Sequence, residues 1–187
     1  MIDEVLIITS NESKIKEISK ILEDYEITAI PKTFDIEEAR KDTLEEVSKL
    51  KAIAAFEHFK KPLLVDDTGI FFEAFKDFPG VVTRFIFDQI GFEGILKLLI
   101  GKRRGAYYKS CITFIAENIE PVTFTGEFHG KIAEEPSKIV DNKFPYDSIF
   151  IPNNEIVPRI ELEYNKRIES SHRRKALMEF KDYLDRL

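Results

Sequence analysis

Residues 63–69 read LLVDDTG, an apolar run that ends in two adjacent acids, Asp66 and Asp67. The run itself predicts a buried strand. Like charges this close raise each other's pKa and cost free energy unless a cation or hydrogen-bond donors compensate. On a strand the two side chains would start on opposite faces, so both need not enter one site. The alternative is a solvated turn, because Asp and Gly are common turn residues.

Strands and helices are predicted on both sides of this stretch. Residues 5–9 (VLIIT) predict a buried strand, and apolar residues at helical spacing predict helices over residues 14–22 and 43–59. The second half predicts a short helix over residues 92–100, and a hairpin of residues 106–116 and 121–132 with its turn at 117–120. A strand SIFI at 148–151 and a last helix with Leu177, Phe180, Leu184 and Leu187 on one face follow. This order predicts an α/β fold with a mixed sheet flanked by helices.

Composition restricts the class of protein. A chain of 187 residues with 43% apolar and 33% charged residues predicts one globular domain over residues 1–187. The net charge of −6 argues against a nucleic-acid binder, since non-specific affinity comes from neutralising phosphates. No apolar run reaches the roughly 20 residues of a membrane span, and the opening MIDEVLIITS does not resemble a signal peptide, so a cytoplasmic location is expected. Cys111 is expected to be a packed strand thiol, and three scattered histidines give no zinc-ligand spacing.

Two segments predict binding of an anion. In TSNESK, residues 9–14, a strand turns directly into a helix whose free N–H groups and early lysine attract negative charge. The alternative is a helix cap followed by a surface lysine. In SSHRRKAL, residues 170–177, four basic residues crowd the first turn of a helix, where the helix dipole disfavours cations. A bound anion or a nearby carboxylate would remove this conflict, and a solvated basic patch is the alternative.

Two further features admit a functional and a structural interpretation. Lys51 falls in the apolar arc of its helix, so it either extends to water or has an anionic partner. In NKFPYDSIFIP, residues 142–152, Phe144 and Tyr146 precede a strand in a proline-bearing loop. Exposed aromatic rings could stack on a nucleotide base, whereas core packing under the loop is the alternative.

Five blocks in order resemble the inosine triphosphate pyrophosphatase family, and they span nearly the whole chain. They are TSNESK, LEEVSKLKA, LVDDTGIFFEAFKDFPGV, KFPYDSIF and SHRRKAL. The resemblance implies hydrolysis of non-canonical purine nucleoside triphosphates (ITP, dITP, XTP) to the monophosphate and pyrophosphate. It also implies an elongated two-lobed fold around a long twisted sheet, an active site in the cleft between the lobes, and a homodimer.

The resemblance assigns roles at the phosphate end of the site. Thr9, Asn11 and Lys14 match the triphosphate-binding turn, with Ser10 where many members have glycine. Lys51 matches the lysine of the E-x-x-x-x-K segment, which begins here at Glu46. Asp67 matches the acid assigned as general base and metal ligand, with Thr68 after it. The second metal-binding carboxylate falls at Glu37 or Glu38, and the implied cofactor is Mg²⁺.

The resemblance also assigns residues to the base. Phe144, Tyr146 and Asp147 match the F-G-Y-D loop, although Pro145 replaces its glycine and Ser148 the following proline. An expected lysine four residues before Ser171 is replaced by Arg167, with Lys166 adjacent, and His172 and Arg173 match the base-reading pair.

In the implied mechanism a water activated by Asp67 or by the metal attacks the α-phosphorus. Lys14, Lys51 and the Arg167 region stabilise the pyrophosphate leaving group. Two alternatives remain: a Maf-like nucleotide pyrophosphatase, against which the SHR block argues, and a nucleotide sensor without catalysis, against which Asp67 and Lys51 argue.

Overall fold

A computed structural model describes residues 2–35 and 43–187. In those residues the strands are β1 (Glu4–Ile8), β2 (Thr28–Lys32), β3 (Leu63–Phe72), β4 (Gly105–Ala116), β5 (Ile119–Ile132) and β6 (Phe150–Pro152). The α-helices are α1 (Glu12–Glu23), α2 (Leu44–Phe59), α3 (Thr83–Leu98), α4 (Tyr164–Glu169) and α5 (His172–Leu184). The predicted helices at 14–22 and 43–59, the hairpin strands and the last helix are confirmed.

The strands form one sheet with the order β2-β1-β3-β4-β5-β6 in the part of the chain that the structure describes. Strand β1 pairs in parallel with both β2 and β3, whereas β5 pairs with β6 in the antiparallel direction. The sheet is therefore mixed, and the predicted α/β class is confirmed. Parallel neighbours need crossover connections, which here contain helices α1 and α2.

Strand β3 corrects the prediction for the decisive stretch. It runs ten residues, from Leu63 to Phe72, so Asp66 and Asp67 lie inside the strand and not at its end. The solvated-turn alternative is wrong, because Asp66 is 6% exposed. Gly69 belongs to the strand for a packing reason: a Cβ there would lie 2.5 Å from the carbonyl oxygen of Gly80.

Three other boundaries differ from the sequence prediction. Strand β2, TAIPK, was not predicted, because its proline and half-exposed residues give no clear period. Helix α3 begins nine residues earlier than the predicted start at residue 92; Gly91, with φ 57°, interrupts its helical geometry and separates the two segments. Leu187 lies beyond α5 and is 70% exposed, so it does not share the buried face of Leu177 and Phe180.

The chain divides into two compact units. Unit 1 contains residues 1–67, 110–126 and 171–187, and unit 2 contains residues 68–109 and 127–170. In unit 1, apolar residues of β1, α2, β3 and β4 form a core: Leu6, Ile8, Ala52, Ala55, Leu63, Val65 and Ile115. Cys111 is fully buried in β4, as the sequence predicted.

Unit 2 has a core of its own, rich in aromatic rings. Its buried members come from β3, α3, β4, β5, β6 and the turn before β6: Ile70, Phe72, Ile95, Leu99, Ala106, Tyr108, Phe128, Ile132, Tyr146, Ile149 and Phe150. Burial of this much apolar surface is the main favourable term in its folding. Among the described residues, none of the helices has the length and apolar composition of a membrane span.

Candidate active site

The turn between β1 and α1 is built by side-chain caps. The hydroxyl of Thr9 accepts a hydrogen bond from the backbone N–H of Asn11 at 3.2 Å. The Asn11 side chain then accepts from the N–H groups of Ser13 and Lys14 at 3.0 and 3.2 Å, so Asn11 caps the helix. Ser10 is exposed in the turn. The capping interpretation is thus confirmed for Asn11, and its contact with phosphate stays a prediction.

Lys14 is not a surface lysine. Its side chain is 17% exposed, and Nζ lies 3.1 Å from Oδ2 of Asp66. The same ammonium donates to the backbone carbonyl oxygen of Asp66 at 2.8 Å. Two acceptors on one residue therefore fix the end of an otherwise flexible side chain against β3.

Asp66 is the centre of a group that we call the Asp66 cluster: Lys14, Glu17, Asp66, Ser110 and Arg173. The Asp66 side chain is 1% exposed and accepts from Nε of Arg173 at 2.9 Å. The hydroxyl of Ser110 also donates to it. Burial alone would raise the pKa of Asp66, but the charges of Lys14 and Arg173 and these hydrogen bonds outweigh burial and hold the pKa well below its usual range.

Arg173 joins this carboxylate to a second one. The guanidinium is 2% exposed, and its Nη1 donates to Oε2 of Glu17 at 2.9 Å. Its neighbour Arg174 pairs with Asp24 at 2.8 Å. Nearby carboxylates thus compensate the basic first turn of α5, as the sequence allowed, and the solvated-patch alternative is wrong for Arg173. The buried guanidinium is held by two acids of unit 1, and the base-reading role of Arg173 stays a prediction.

Asp67 faces a different set of partners. Its Oδ1 lies 2.7 Å from Nζ of Lys51, and the two side chains are 15% and 17% exposed. Lys51 therefore has the anionic partner that its apolar surroundings require. Burial raises the pKa of Asp67 above its ordinary value, and the charges of Lys14 and Lys51 offset this only in part. The predicted division of the two acids between opposite faces of β3 agrees with these separate contacts.

The second carboxylate oxygen of Asp67, Oδ2, is the atom of this site that can accept a ligand or a proton. Oδ2 is buried and has no hydrogen-bond partner among the residues that the structure describes. A buried carboxylate oxygen with no donor is costly and is a suitable ligand for a hard cation, which prefers oxygen. Glu37 and Glu38 lie outside the described residues. Within residues 2–35 and 43–187 no group of three or more His, Cys, Asp or Glu forms a metal site.

The predicted base loop lies in unit 2 and is largely packed. Tyr146 is 3% exposed within the core, and its hydroxyl donates to the carbonyl oxygen of Thr83 at 3.0 Å. The core-aromatic alternative is therefore correct for Tyr146. Asp147 is 1% exposed; it accepts from the Tyr108 hydroxyl at 2.9 Å and forms an ion pair with Arg159. Phe144 keeps partial exposure, which leaves its ring as the candidate for stacking.

The remaining predicted residues differ in burial. Thr68, the first residue of unit 2, is partly buried in β3. Lys166 is exposed and pairs with Glu155 at 2.6 Å, whereas the guanidinium of Arg167 lies 5.7 Å from the ring centre of Tyr164. His172, in unit 1, is 2% exposed at the start of α5.

Sequence reasoning missed Glu17, Ser110 and Arg159. Glu17 had a detectable signal: it precedes Ile21 by one helical turn and so lies on the buried face of α1. A charge on a buried face requires a partner, which is the argument that identified Lys51. Ser110 and Arg159 had no such signal, because their partners are 44 and 12 residues away in the chain.

A profile of the Ham1 family matches residues 5–183. The chain belongs to the Ham1 family. A relative from Methanopyrus kandleri named dITP/XTP pyrophosphatase is 41% identical over 96% of this chain and 95% of its own length. Another of that name, from Saccharolobus solfataricus, is 37% identical over 96% of this chain and 92% of its own. The resemblance drawn from the five sequence blocks is thereby confirmed.

Solved Ham1 structures share the fold. A HAM1 protein from Coxiella burnetii superposes with a TM-score of 0.81 at 29% identity and covers all of both chains. The Staphylococcus aureus Ham1 protein gives a TM-score of 0.80 at 26% identity, with 97% of this chain and 98% of that chain covered. The likeness therefore extends to both units of the chain.

Proposed function

We propose that this Ham1-family chain hydrolyses non-canonical purine nucleoside triphosphates, namely ITP, dITP and XTP, to the nucleoside monophosphate and pyrophosphate. One observation carries the proposal: the buried Lys51–Asp67 pair leaves Oδ2 of Asp67 without a donor, in a chain whose relatives are named dITP/XTP pyrophosphatases. An oxygen so placed can bind a metal or take a proton from water.

Asp67 acts as the general base. Its Oδ1 is held by Lys51, so Oδ2 is oriented to take a proton from the water that attacks the α-phosphorus. Burial raises the pKa of this carboxyl above its ordinary value, which makes it a stronger proton acceptor while the two lysines keep part of it ionised. The geometry of the pair thus serves both orientation and basicity.

The lysines and the start of α1 receive the phosphates. Lys14 and Lys51 each present an ammonium that can offset charge on the pyrophosphate leaving group. The turn formed by Thr9, Ser10 and Asn11 leads into the helix, where N–H groups and the helix dipole favour an anion. In this assignment no covalent intermediate is required.

Mg²⁺ is the cofactor that this donor set fits best. Asp67 would hold it through its carboxylate, with Glu37 or Glu38 as the second carboxylate. Magnesium binds through one or two carboxylates plus substrate phosphates, so a cluster of three acids is not required. When bound, Mg²⁺ supplies positive charge at the phosphate oxygens and lowers the pKa of a bound water.

Recognition of the base follows from the resemblance. Hypoxanthine and xanthine carry an acceptor oxygen at position 6, where adenine carries an amine donor, so donors aimed there favour ITP and XTP over ATP. His172, Arg173, Thr68, Phe144, Tyr146, Asp147, Lys166 and Arg167 are the residues that the resemblance assigns to the substrate. Partial exposure supports Phe144 and Arg167, whereas Tyr146 and Asp147 would act by supporting the loop.

Assembly and location complete the proposal. The resemblance supports a homodimer, which light scattering on the purified protein would test. We assign the reaction to the cytoplasm, where free nucleoside triphosphates are consumed in nucleic-acid synthesis.

The deciding experiment is a substrate panel. Purified protein with Mg²⁺ is incubated separately with ITP, dITP, XTP, GTP, ATP and CTP, and the products are identified by chromatography. We expect ITP, dITP and XTP to be cleaved well ahead of the others, with monophosphate and pyrophosphate as products. Release of orthophosphate would contradict the site of attack, equal cleavage of ATP and ITP would contradict the substrate class, and binding without cleavage would indicate a sensor.

A further inference from the structure

Four charged side chains form a continuous series of ion pairs in the buried part of unit 1. Glu17 of α1 contacts Arg173 of α5 at 2.9 Å, Arg173 contacts Asp66 of β3 at 2.9 Å, and Asp66 contacts Lys14 of α1 at 3.1 Å. Two positive and two negative groups alternate, so this series of ion pairs is neutral as a whole. The path begins and ends on one helix and passes through two other elements.

Lys14 is the most exposed of these four charged side chains. The Lys14 side chain is 17% exposed, whereas those of Asp66, Arg173 and Glu17 are 1%, 2% and 8% exposed. Lys14 is therefore the member with the most access to a ligand, whereas the side chains of the other three are buried. A charge that is removed from water needs a partner in good geometry, so each buried member depends on the next.

An arginine at position 173 suits this arrangement for a geometric reason. Its planar guanidinium directs Nε at Asp66 and Nη1 at Glu17 at the same time. Lysine is a point charge on a flexible stem and does not reproduce a fixed fork between two carboxylates. Ser110 donates to Oδ1 of Asp66, and Arg173 donates to Oδ2. Lys14 contacts the same Oδ2 and the backbone oxygen of Asp66.

We propose that Glu17 and Arg173 are positioning residues for Lys14: acting through Asp66, they fix its ammonium where it meets the triphosphate. This inference rests on the proposed function for the place of Lys14 at the phosphates. It gives Arg173 a different task from reading the base, and it gives Glu17 a role that the sequence did not reveal.

The two possible roles of Arg173 predict different effects on the preference for ITP over ATP. A residue that positions Lys14 affects the phosphates, which all nucleotides share, so its loss lowers kcat/KM for ITP and ATP by the same factor. A residue that reads the base lowers kcat/KM for ITP alone, so the ITP/ATP ratio falls. A residue that only stabilises the fold changes neither value, once the protein is shown to be folded at the assay temperature.

The first experiment uses Arg173→Lys, which keeps the charge but loses the fork, with Arg174→Lys as matched control. Arg174 is the next residue of the same helix and pairs with exposed Asp24. We expect kcat/KM of Arg173→Lys to fall about 10- to 100-fold with ITP and ATP alike, and the control to match wild type. A loss confined to ITP, or wild-type kcat/KM in a folded Arg173→Lys protein, would overturn the proposal.

Variants of Glu17 test the same series of contacts, which we call the relay: Glu17 to Arg173 to Asp66 to Lys14. Along the relay, Glu17 is the member that is furthest from Lys14. Glu17→Ala removes the outer anchor of Arg173, and Glu17→Gln keeps an oxygen that can still accept from Nη1. We expect the same uniform loss for Glu17→Ala and partial rescue in Glu17→Gln, while Glu23→Ala, an exposed acid of the same helix, has no effect. If Glu17→Ala does not fold, Glu17→Gln and Arg173→Lys decide; wild-type kinetics in both would overturn the relay.

A base-free ligand separates this proposal from the proposed function. Inorganic tripolyphosphate carries the phosphates but nothing to read, and its binding is measured by calorimetry without any turnover. We expect Arg173→Lys and Glu17→Ala to weaken it about tenfold, the value of one charged hydrogen bond, and Arg174→Lys to leave it unchanged. If wild type binds tripolyphosphate but cleaves no nucleotide, the proposed function fails and the relay is still tested by these affinities; equal affinity in all variants would overturn the relay.

Discussion

Asp66 and Asp67 are consecutive residues of β3, yet the two regions that they define differ in almost every respect. The Asp66 cluster is closed: its carboxylate is met by Lys14, Arg173 and Ser110, and its pKa lies well below the usual range. The Lys51–Asp67 pair is open: one oxygen has no partner among the described residues, and burial raises the pKa of Asp67. The pleat of one strand is enough to separate a fully paired acid from one with an unpaired oxygen.

This contrast shows how two adjacent acids can be tolerated in a buried strand. The two acids are compensated unequally. Three donors contact the Asp66 carboxylate, whereas Asp67 accepts from Lys51 at Oδ1 and its Oδ2 has no partner among the described residues. A fully compensated carboxylate gains nothing by binding a metal or a proton. An under-compensated carboxylate does, so reactivity is expected where compensation is incomplete.

The largest expected effect is on stability, from Asp66→Asn. The change leaves Arg173 and Lys14 facing a neutral amide in a buried site, and breaking a buried ion pair costs about 3–5 kcal/mol of unfolding free energy. Urea unfolding at neutral pH measures this value. Asp24→Asn, which removes an exposed partner of Arg174, is the control and should unfold like wild type. A stable Asp66→Asn protein would break the comparison, because the closed cluster would then not hold the fold.

The next effect is on turnover, from Asp67→Asn. The amide keeps the shape but loses the proton acceptor and a metal ligand, so kcat for ITP should fall at least about a hundredfold. Thermal stability should hold or rise, since the ionised form is disfavoured by burial. Steady-state kinetics and a melting curve on one preparation measure both. Wild-type turnover would mean that Asp66 or another acid is the general base.

The opposite faces of Asp66 and Asp67 could be predicted from the sequence, and so could the need of Lys51 for a partner. Both follow from the regular repeat of side-chain directions along a strand and along a helix. The identity of the partners could not be predicted. Asp66 meets Lys14 across 52 residues and Arg173 across 107, and such contacts follow from the sheet order and helix packing, which no local period encodes. The resemblance supplied the site residues and the family, but not the ion pairs of Arg173.

The length of β3 shows a second limit. The residues DDTG have the composition of a turn, which predicts that the strand ends before them. Tertiary structure overrides this composition because Lys14, Lys51 and Arg173 compensate the acids, and because Gly69 fits the close approach of Gly80. Local propensity is therefore misleading at the very residues where function is proposed.

A smaller effect is expected from Lys51→Met, which tests the Lys51–Asp67 pair. Without its lysine, Asp67 loses the charge that lowers its pKa and is protonated more readily, so the base and a phosphate contact are lost together. We expect kcat/KM for ITP to fall at least about tenfold, the value of a charged hydrogen bond, while methionine fills the apolar arc and stability holds or rises. Lys49→Met, on an exposed position of the same helix, is the control. Unchanged catalysis would assign Lys51 to structure alone.

The smallest effect is the pH dependence of stability, in which the two acids should contribute with opposite signs. The folded-state pKa of Asp66 lies below the unfolded value of about 3.9, so its stabilisation is fully present above about pH 5 and is lost progressively as the pH falls toward the folded pKa. The folded-state pKa of Asp67 lies above the unfolded value, so its contribution declines as the pH rises from about 4 through the folded pKa. Each contribution is limited to one proton, or about 1.4 kcal/mol per pH unit.

Urea unfolding between about pH 3 and 7, which covers protonation of Asp66 in the unfolded chain and pH values above the ordinary aspartate pKa, would resolve the two signs when it is done in a chelator that removes metal. Relative to wild type, Asp66→Asn should lose less stability on acidification, because its amide takes up no proton. Asp67→Asn should gain stability over wild type as the pH rises above about 4. Parallel curves for the two variants would show that the adjacent carboxylates share one environment, and the division between a closed and an open acid would then be wrong.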